Sequence, residues 1–433
     1  MLTVGQENFK KKYMKQRSLL FAGFIFLMLV STFFQSCLED KCDAERTFVQ
    51  YTPVYLKPEA FRIDIQKESS RPLKEPGKIY VYNNYLLINE IREGIHVFDN
   101  SNPQNPVSLG FIAIPGNVDM AINNGYLYAD SYVDLLTIDL NDINDPKLVD
   151  RQEDVFYLFG TQGELGYLVY YNETDVTLKV DCNDVRFNQN WFWERGDVFM
   201  AADNAAGSSA SGSGIGGSMA RFTISSDHLY TVDQSTLKSW KLSNTGLPVN
   251  VDSELMGWNI ETIFPYEDML FVGSTSGMYI YSISTPSNPS YASFFGHANA
   301  CDPVVVENDI AFITLRDGTR CETFSNQLDV VDISDPLNPN FIKSYPMDHP
   351  HGLAVRNDIL YLCEGDYGFK VFDVSDLEKI DKNLLSKHKD LNGYDVISLD
   401  NDVLLLIGTT GFYQYNSKDP KNLKLLSHIP VEE

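Results

Sequence analysis

The chain has 433 residues, 43% of them hydrophobic and 12% aromatic, with 59 acidic against 34 basic side chains and a formal charge of -25. That apolar content excludes a disordered chain, and a body this negative repels phosphate, which excludes nucleic acid as a partner. Length alone leaves open two or three ordinary domains or one large repeat array.

The first element is a leader. Lys10, Lys11, Lys12, Lys15 and Arg17 precede an uncharged apolar run from Leu19 to Phe34, the layout of a secretory signal, and Met14 offers a second start. The run closes on "FFQSC", with Ser36 before Cys37. This stretch resembles a bacterial lipobox, which implies cleavage after residue 36 and lipidation of Cys37. Glu39 and Asp40 follow at once. They are similar to the acidic export signal of Bacteroidetes-type surface lipoproteins, which implies the outer face of the outer membrane, with a periplasm-facing anchor as the alternative. Each buried acyl methylene contributes about 0.8 kcal/mol, so the membrane is an expected partner. Loss of residues 1–36 removes five basic side chains and one acidic one, leaving 29 against 58, or -29.

Residues 37–76 read as a lipidated tether. Phe48, Tyr51, Val54, Tyr55 and Phe61 are too apolar for a pure linker, so part of this segment is expected to pack on the body that follows.

From residue 77 to the C-terminus one phrase recurs. "LDVVD", ending at Asp332, has seven relatives: "GIHVFD" to Asp99, "LLTID" to Asp139, "TLKVD" to Asp181, "LKSWK" to Lys241, "MYIYS" to Ser282, "FKVFD" to Asp373 and "FYQYN" to Asn416. Successive copies are separated by 40, 42, 60, 41, 50, 41 and 43 residues, a period near 40 with two insertions. Within a period, as in "LAV", "ILYLCEG" and "FKVFDVSD", apolar and polar residues alternate between short polar turns. That pattern predicts half-buried antiparallel strands with no helix between them. Four strands in about 40 residues is the period of a propeller blade, and one blade cannot bury both faces without neighbours. The expected fold is therefore all-β, a β-propeller of four-stranded antiparallel blades. Eight copies predict eight blades, or seven if the third copy is too eroded to form one. The turns after the repeated strand read "DNSNPQNP", "DLNDINDP", "SISTPSNP", "DISDPLNP" and, more loosely, "YNSKDPKN". Asp or Asn there can bond the backbone two residues on, and Pro cannot continue the ladder. These acids are read as turn formers, without the spacing of a calcium loop.

Leu328 to Asp332 and its copies resemble the LVIVD repeat of bacterial and archaeal cell-surface proteins. The resemblance covers roughly residue 76 to the C-terminus and implies a surface propeller and no particular reaction. Around residues 183–218 the repeat is interrupted by a Gly/Ser-rich insertion that carries Trp191 and Trp193. Gly212, Gly214 and Gly217 fit G-x-G-x-x-G, but no strand precedes them and no helix follows, so a dinucleotide site is rejected.

In a four-stranded blade the inter-blade links and the hairpins between second and third strands share one face. Aligning innermost strands puts Asp119, Glu261, Asp302, His351 and Asp395 at similar entry positions, with Lys78 and Arg221 in two others. These are candidates for a polar ligand site at the channel mouth; the alternative is that they satisfy turn amides. Cys301 and Cys321 reach the same face of one blade and are a candidate disulfide, which would contribute about 3 kcal/mol for a loop of this length. His297, His349 and His351 with Asp302 could supply transition-metal donors, but they lack the helical spacing of a zinc protease. No metal and no cofactor are expected. Tyr132, Trp258 and Tyr367 near the same face could stack on a sugar or a protein partner. No nucleophile elbow or paired-carboxylate motif is present. The first functional reading is a non-enzymatic binding module for a glycan, a peptide or an envelope protein. The alternatives are a polysaccharide hydrolase or lyase using mouth carboxylates, and a structural component of an envelope complex.

Overall fold

A computed structural model describes residues 43–156, 163–181, 215–257, 259–296, 303–316 and 326–432, with side chains from residue 50 onward and not for 178–181. The chain divides into two compact units, one of residues 51–172 with 196–433 and one of residues 1–50 with 173–195. Strands Asp43–Leu56 and Tyr167–Asp181 pair as a two-stranded sheet of their own. Among the described residues the larger unit holds seven antiparallel sheets, each built on four consecutive strands, and the first of them is extended to six.

The first blade is Pro76–Tyr82, Tyr85–Glu90, Gly94–Asp99 and Val107–Ala113. The second runs from Met120 to Gln152, the third from Phe222 to Leu255, the fourth from Ile260 to Gly296 and the fifth from Val304 to Pro346. The sixth runs from Leu353 to His388 and the seventh from Gly393 to Pro430. Seven blades, not eight, correct the first expectation and match its alternative. The copy ending at Asp181 lies in the strand Tyr167–Asp181, outside any blade. It pairs with Asp43–Leu56 instead of with three consecutive strands of its own. Asn172 to Asp175, just before the copy, are exposed and polar where a blade needs an apolar face, and "VDCND" carries Asx residues but no Pro to end the ladder.

Where that turn is present, it works as its chemistry dictates. The closing Asp or Asn accepts the amide two residues on: Asp99 from Ser101 at 2.9 Å, Asp139 from Asn141 at 2.8 Å, Asp332 from Ser334 at 2.9 Å, Asp373 from Ser375 at 3.0 Å and Asn416 from Lys418 at 3.2 Å. Serine donors hold Asp99, Asp332 and Asp373 below the usual carboxylate range. Three residues after the first acceptor, Asn102, Asp142, Asp335, Asp376 and Asp419 repeat the same bond. The prolines then serve the neighbouring blade. Ser293 Oγ donates to the Pro336 carbonyl at 2.6 Å, Ser386 to Pro420 at 3.0 Å and Ser427 to Pro103 at 2.7 Å. Ser427 and Pro103 belong to the last and first blades, so this bond closes the ring.

Closure rests on more than that bond. Leu73 pairs in parallel with Val431, Glu432 N donates to Leu73 O at 2.8 Å, and Asn100 and Gln414 exchange side-chain amide bonds at 2.9 and 2.8 Å. Ile79, Leu86, Ile88 and Phe98 of the first blade pack with Ile397, Leu405, Ile407 and Phe412 of the seventh in one buried cluster. All seven outermost strands carry a register shift. Bulges of this kind discourage edge-to-edge aggregation.

Two additions join the first blade. Gln66–Glu68 pairs with its outermost strand, Gln66 opposite Ala113 and Glu68 opposite Phe111. Ile215–Gly216 pairs with the inner edge of its innermost strand, Ile215 opposite Val81 and Gly216 opposite Tyr80. An extra strand inside the innermost strand lies in the central channel.

Candidate functional site

Innermost strands run from the mouth, where inter-blade links enter, to the opposite face, where two-residue hairpins such as Asn124-Gly125 and Asn357-Asp358 have both φ values positive. The segment from Ile215 runs antiparallel to Pro76–Tyr82 and so climbs the channel toward the mouth, where Arg221 and Phe222 open the third blade. On the way Ser218 Oγ accepts Leu353 N at 2.9 Å and bonds Asp395 Oδ1 at 3.3 Å, tying the sixth and seventh blades together. Ser218, Met219 and Ala220 are buried. The chain itself therefore fills part of the channel whose mouth was read as polar.

The mouth residues separate into two groups. Lys78, Asp119 and Arg221 meet across blades one to three. The Lys78 ammonium bonds Asp119 Oδ2, which also accepts the Arg221 amide at 2.6 Å, while Asp119 Oδ1 accepts Met120 N at 2.7 Å. Lys78 is 3% exposed and Asp119 is 2% exposed. Beside them Asp130 Oδ1 accepts Val118 N at 2.7 Å, Asp119 N at 2.9 Å and Asn117 Nδ2 at 2.9 Å. Burial of its carboxyl pushes Asp130 up to about 6, and the charge of Asp119 adds to the rise. Asp119, Asp130, Tyr132, Phe156, Arg221, Asp233 and Gln234 are among the residues lining a cavity of about 30 Å³, room for a water or a single functional group.

The second group lies at blades five to seven. His351 and Asp395 are brought close by Gly352, whose amide donates to Tyr394 O at 3.0 Å. Arg316 Nη1 donates to His351 Nδ1 and lies 3.2 Å from Nε2. Burial pulls His351 down to about 2, with Arg316 and His349 adding to the fall, so the imidazole is neutral and acts as an acceptor. The His349 ring meets it edge-on at 5.0 Å. Next to them Glu364, fully buried, accepts Asp348 N at 2.8 Å and pairs with Lys370 at 2.8 Å. Glu261 lies at a register shift near the start of the fourth blade and is half-buried.

Asp302 and His297, the disulfide candidates Cys301 and Cys321, the lipidation candidate Cys37, and Trp191, Trp193 and Trp258 lie outside the described residues. Among the described residues no three His, Cys, Asp or Glu side chains converge as metal ligands. Cys363 is a buried free thiol that burial raises well above its ordinary value.

Sequence alignment of first strands missed Asp130, Arg316 and Glu364. Each sits at or next to the end of a second strand, which opens on the same mouth, as do Glu90 and Asp233. Aligning second-strand ends would have found them. It also missed how the tether docks. Phe61, fully buried at the end of the short helix Pro58–Phe61, packs edge-on against Tyr132 at 5.3 Å and Tyr167 at 5.9 Å. Arg62 then reaches Asp134 through two 2.9 Å bonds.

Seven four-stranded blades closed into a ring around a common axis define a β-propeller. No family model and no curated relative matches the chain. Solved propellers do. A periplasmic gluconolactonase from Pseudomonas aeruginosa superposes with a TM-score of 0.54 at 9% identity, over 82% of this chain and 96% of that one. A protein from Lactobacillus plantarum gives a TM-score of 0.52 at 13% identity, over 83% and 97%. At these identities the likeness is one of fold.

Proposed function

We propose that this propeller is a non-enzymatic binding module, held at the cell surface by a lipid on Cys37 and presenting the mouth of its ring to a glycan or an envelope protein. The observation that carries this reading is the internal commitment of the mouth acids. Asp119 is taken by Lys78 and by two amides, and Asp395 faces Ser218 of the segment that climbs the channel. A glycoside hydrolase needs two carboxyl groups flanking a bound sugar with room for its ring. Asp119 and Asp130 line one small cavity together, and backbone amides already occupy oxygens of both carboxyl groups. The membrane anchor and the LVIVD-repeat affiliation belong to this proposal and rest on "FFQSC" and on the repeated strand.

The test has two arms. A glycan array and an envelope pull-down, run with the intact protein, should give a saturable ligand without turnover. Polysaccharide cleavage abolished by Asp130→Asn would replace this reading with the enzyme one. Intact-mass measurement of the membrane-extracted protein should show a diacylated Cys37, and an unmodified thiol there would remove the anchor.

A further inference from the structure

The mouth between the fifth and sixth blades brings an arginine beside two histidines. Arg316 ends the second strand of the fifth blade, and His349 and His351 lie on the link into the sixth. Two nearby acids, Asp348 and Glu364, are paired with lysines: Asp348 with Lys370 at 3.0 Å and with Lys387 at 3.2 Å, and Glu364 with Lys370. Among the described residues no carboxylate bonds Arg316.

Three further features shape the place. Neutral His351 accepts one N–H of the Arg316 guanidinium, fixing the group without adding a competing charge. Gly365, at φ +51, approaches so closely that a Cβ there would stand 2.8 Å from His351 Nε2, so the imidazole is held from both sides. His349 has φ +105, a strained backbone for a residue with a side chain, and such strain concentrates at ligand-binding positions. Its ring lies 6.4 Å from that of Tyr367, which is 56% exposed on the hairpin before the third strand.

We propose that this mouth binds an acidic sugar, with Arg316 taking the uronate carboxylate and the Tyr367 ring taking the face of the pyranose. A guanidinium fork matches a carboxylate bidentately, and an exposed flat ring fits the apolar face of a sugar. His351 and Gly365 are positioning residues for the arginine. The inference deepens the binding-module reading and rests on it.

The experiment titrates the full chain by calorimetry with a uronic-acid disaccharide, with the same disaccharide reduced to its neutral sugar, and with an acetylated dipeptide bearing a free C-terminal carboxylate. The acidic disaccharide should bind, the neutral one should bind at least tenfold more weakly, and Arg316→Gln should lower acidic-sugar affinity by tenfold or more. Tyr367→Ala, an exposed position that leaves the fold intact, should weaken the acidic sugar several-fold and leave the dipeptide unaffected. Equal binding of acidic and neutral sugars, or no effect of Arg316→Gln, overturns the carboxylate assignment while leaving a binding module in place. Preference for the dipeptide, or indifference to Tyr367→Ala, overturns the sugar assignment. No binding of any of the three overturns the site, and the envelope pull-down then decides the wider reading separately.

Discussion

Lys78→Met removes one partner of the Lys78–Asp119 pair and keeps the length of the side chain. The amides of Arg221 and Met120 still reach Asp119, but the countercharge is gone in a place where the two residues are 3% and 2% exposed. Breaking a buried pair in this way costs about 3–5 kcal/mol. On a chain of this size, with an unfolding entropy of roughly 2.1 cal/mol/K per residue, that corresponds to a fall in Tm of about 3–5.5 °C. Chemical denaturation followed by tryptophan fluorescence gives the free energy, and calorimetry gives Tm. Lys78→Met with Asp119→Asn should recover much of the loss, because the orphaned charge is then removed as well. A single variant within about 1 kcal/mol of wild type, or a double variant no better than the single, would refute the argument that the pair is closed to solvent.

Asp130 titrates with the opposite sign from the turn acids. Its folded value of about 6 lies above its ordinary one, so its contribution to stability falls as pH rises from about 4 through about 6 and is flat beyond. Asp130→Asn should therefore gain stability relative to wild type across that window in pH-dependent denaturation, and parallel curves would count against the burial. Ser218→Ala leaves Leu353 N and Asp395 without the shared hydroxyl, a loss of about 1–3 kcal/mol read from denaturation midpoints. Phe61→Ala empties a fully buried ring site against Tyr132 and Tyr167, with a loss of about 3–5 kcal/mol for a fully coupled segment. Limited proteolysis should then cut the chain before residue 76 first, and an unchanged cleavage pattern would show that the helix is not held by Phe61.

The blade period was legible in the sequence because its signals are local. Asp332 and Ser334 lie two residues apart, and the bond between them is made inside the turn that they spell. The same locality explains the miscount. "TLKVD" carries the alternation of a repeated strand, but whether an alternating strand enters a blade depends on partners that its own residues do not encode. At the mouth, Lys78 and Asp119 hold entry positions of first strands, which strand alignment picks out, whereas Asp130 and Arg316 lie at second-strand ends, where neither alternation nor turn chemistry marks them.

By itself the sequence determined the strands, their turns and the need for closure, since alternating apolar faces in units of about forty residues have nothing to cover them except one another. Only the tertiary structure decided the number of blades, the route of residues 215–221 up the channel and the pairing of Lys78 with Asp119. Those depend on contacts between residues as far apart as Ser218 and Asp395 or Asn100 and Gln414, whose meeting is set by how the ring packs and by no pattern along the chain.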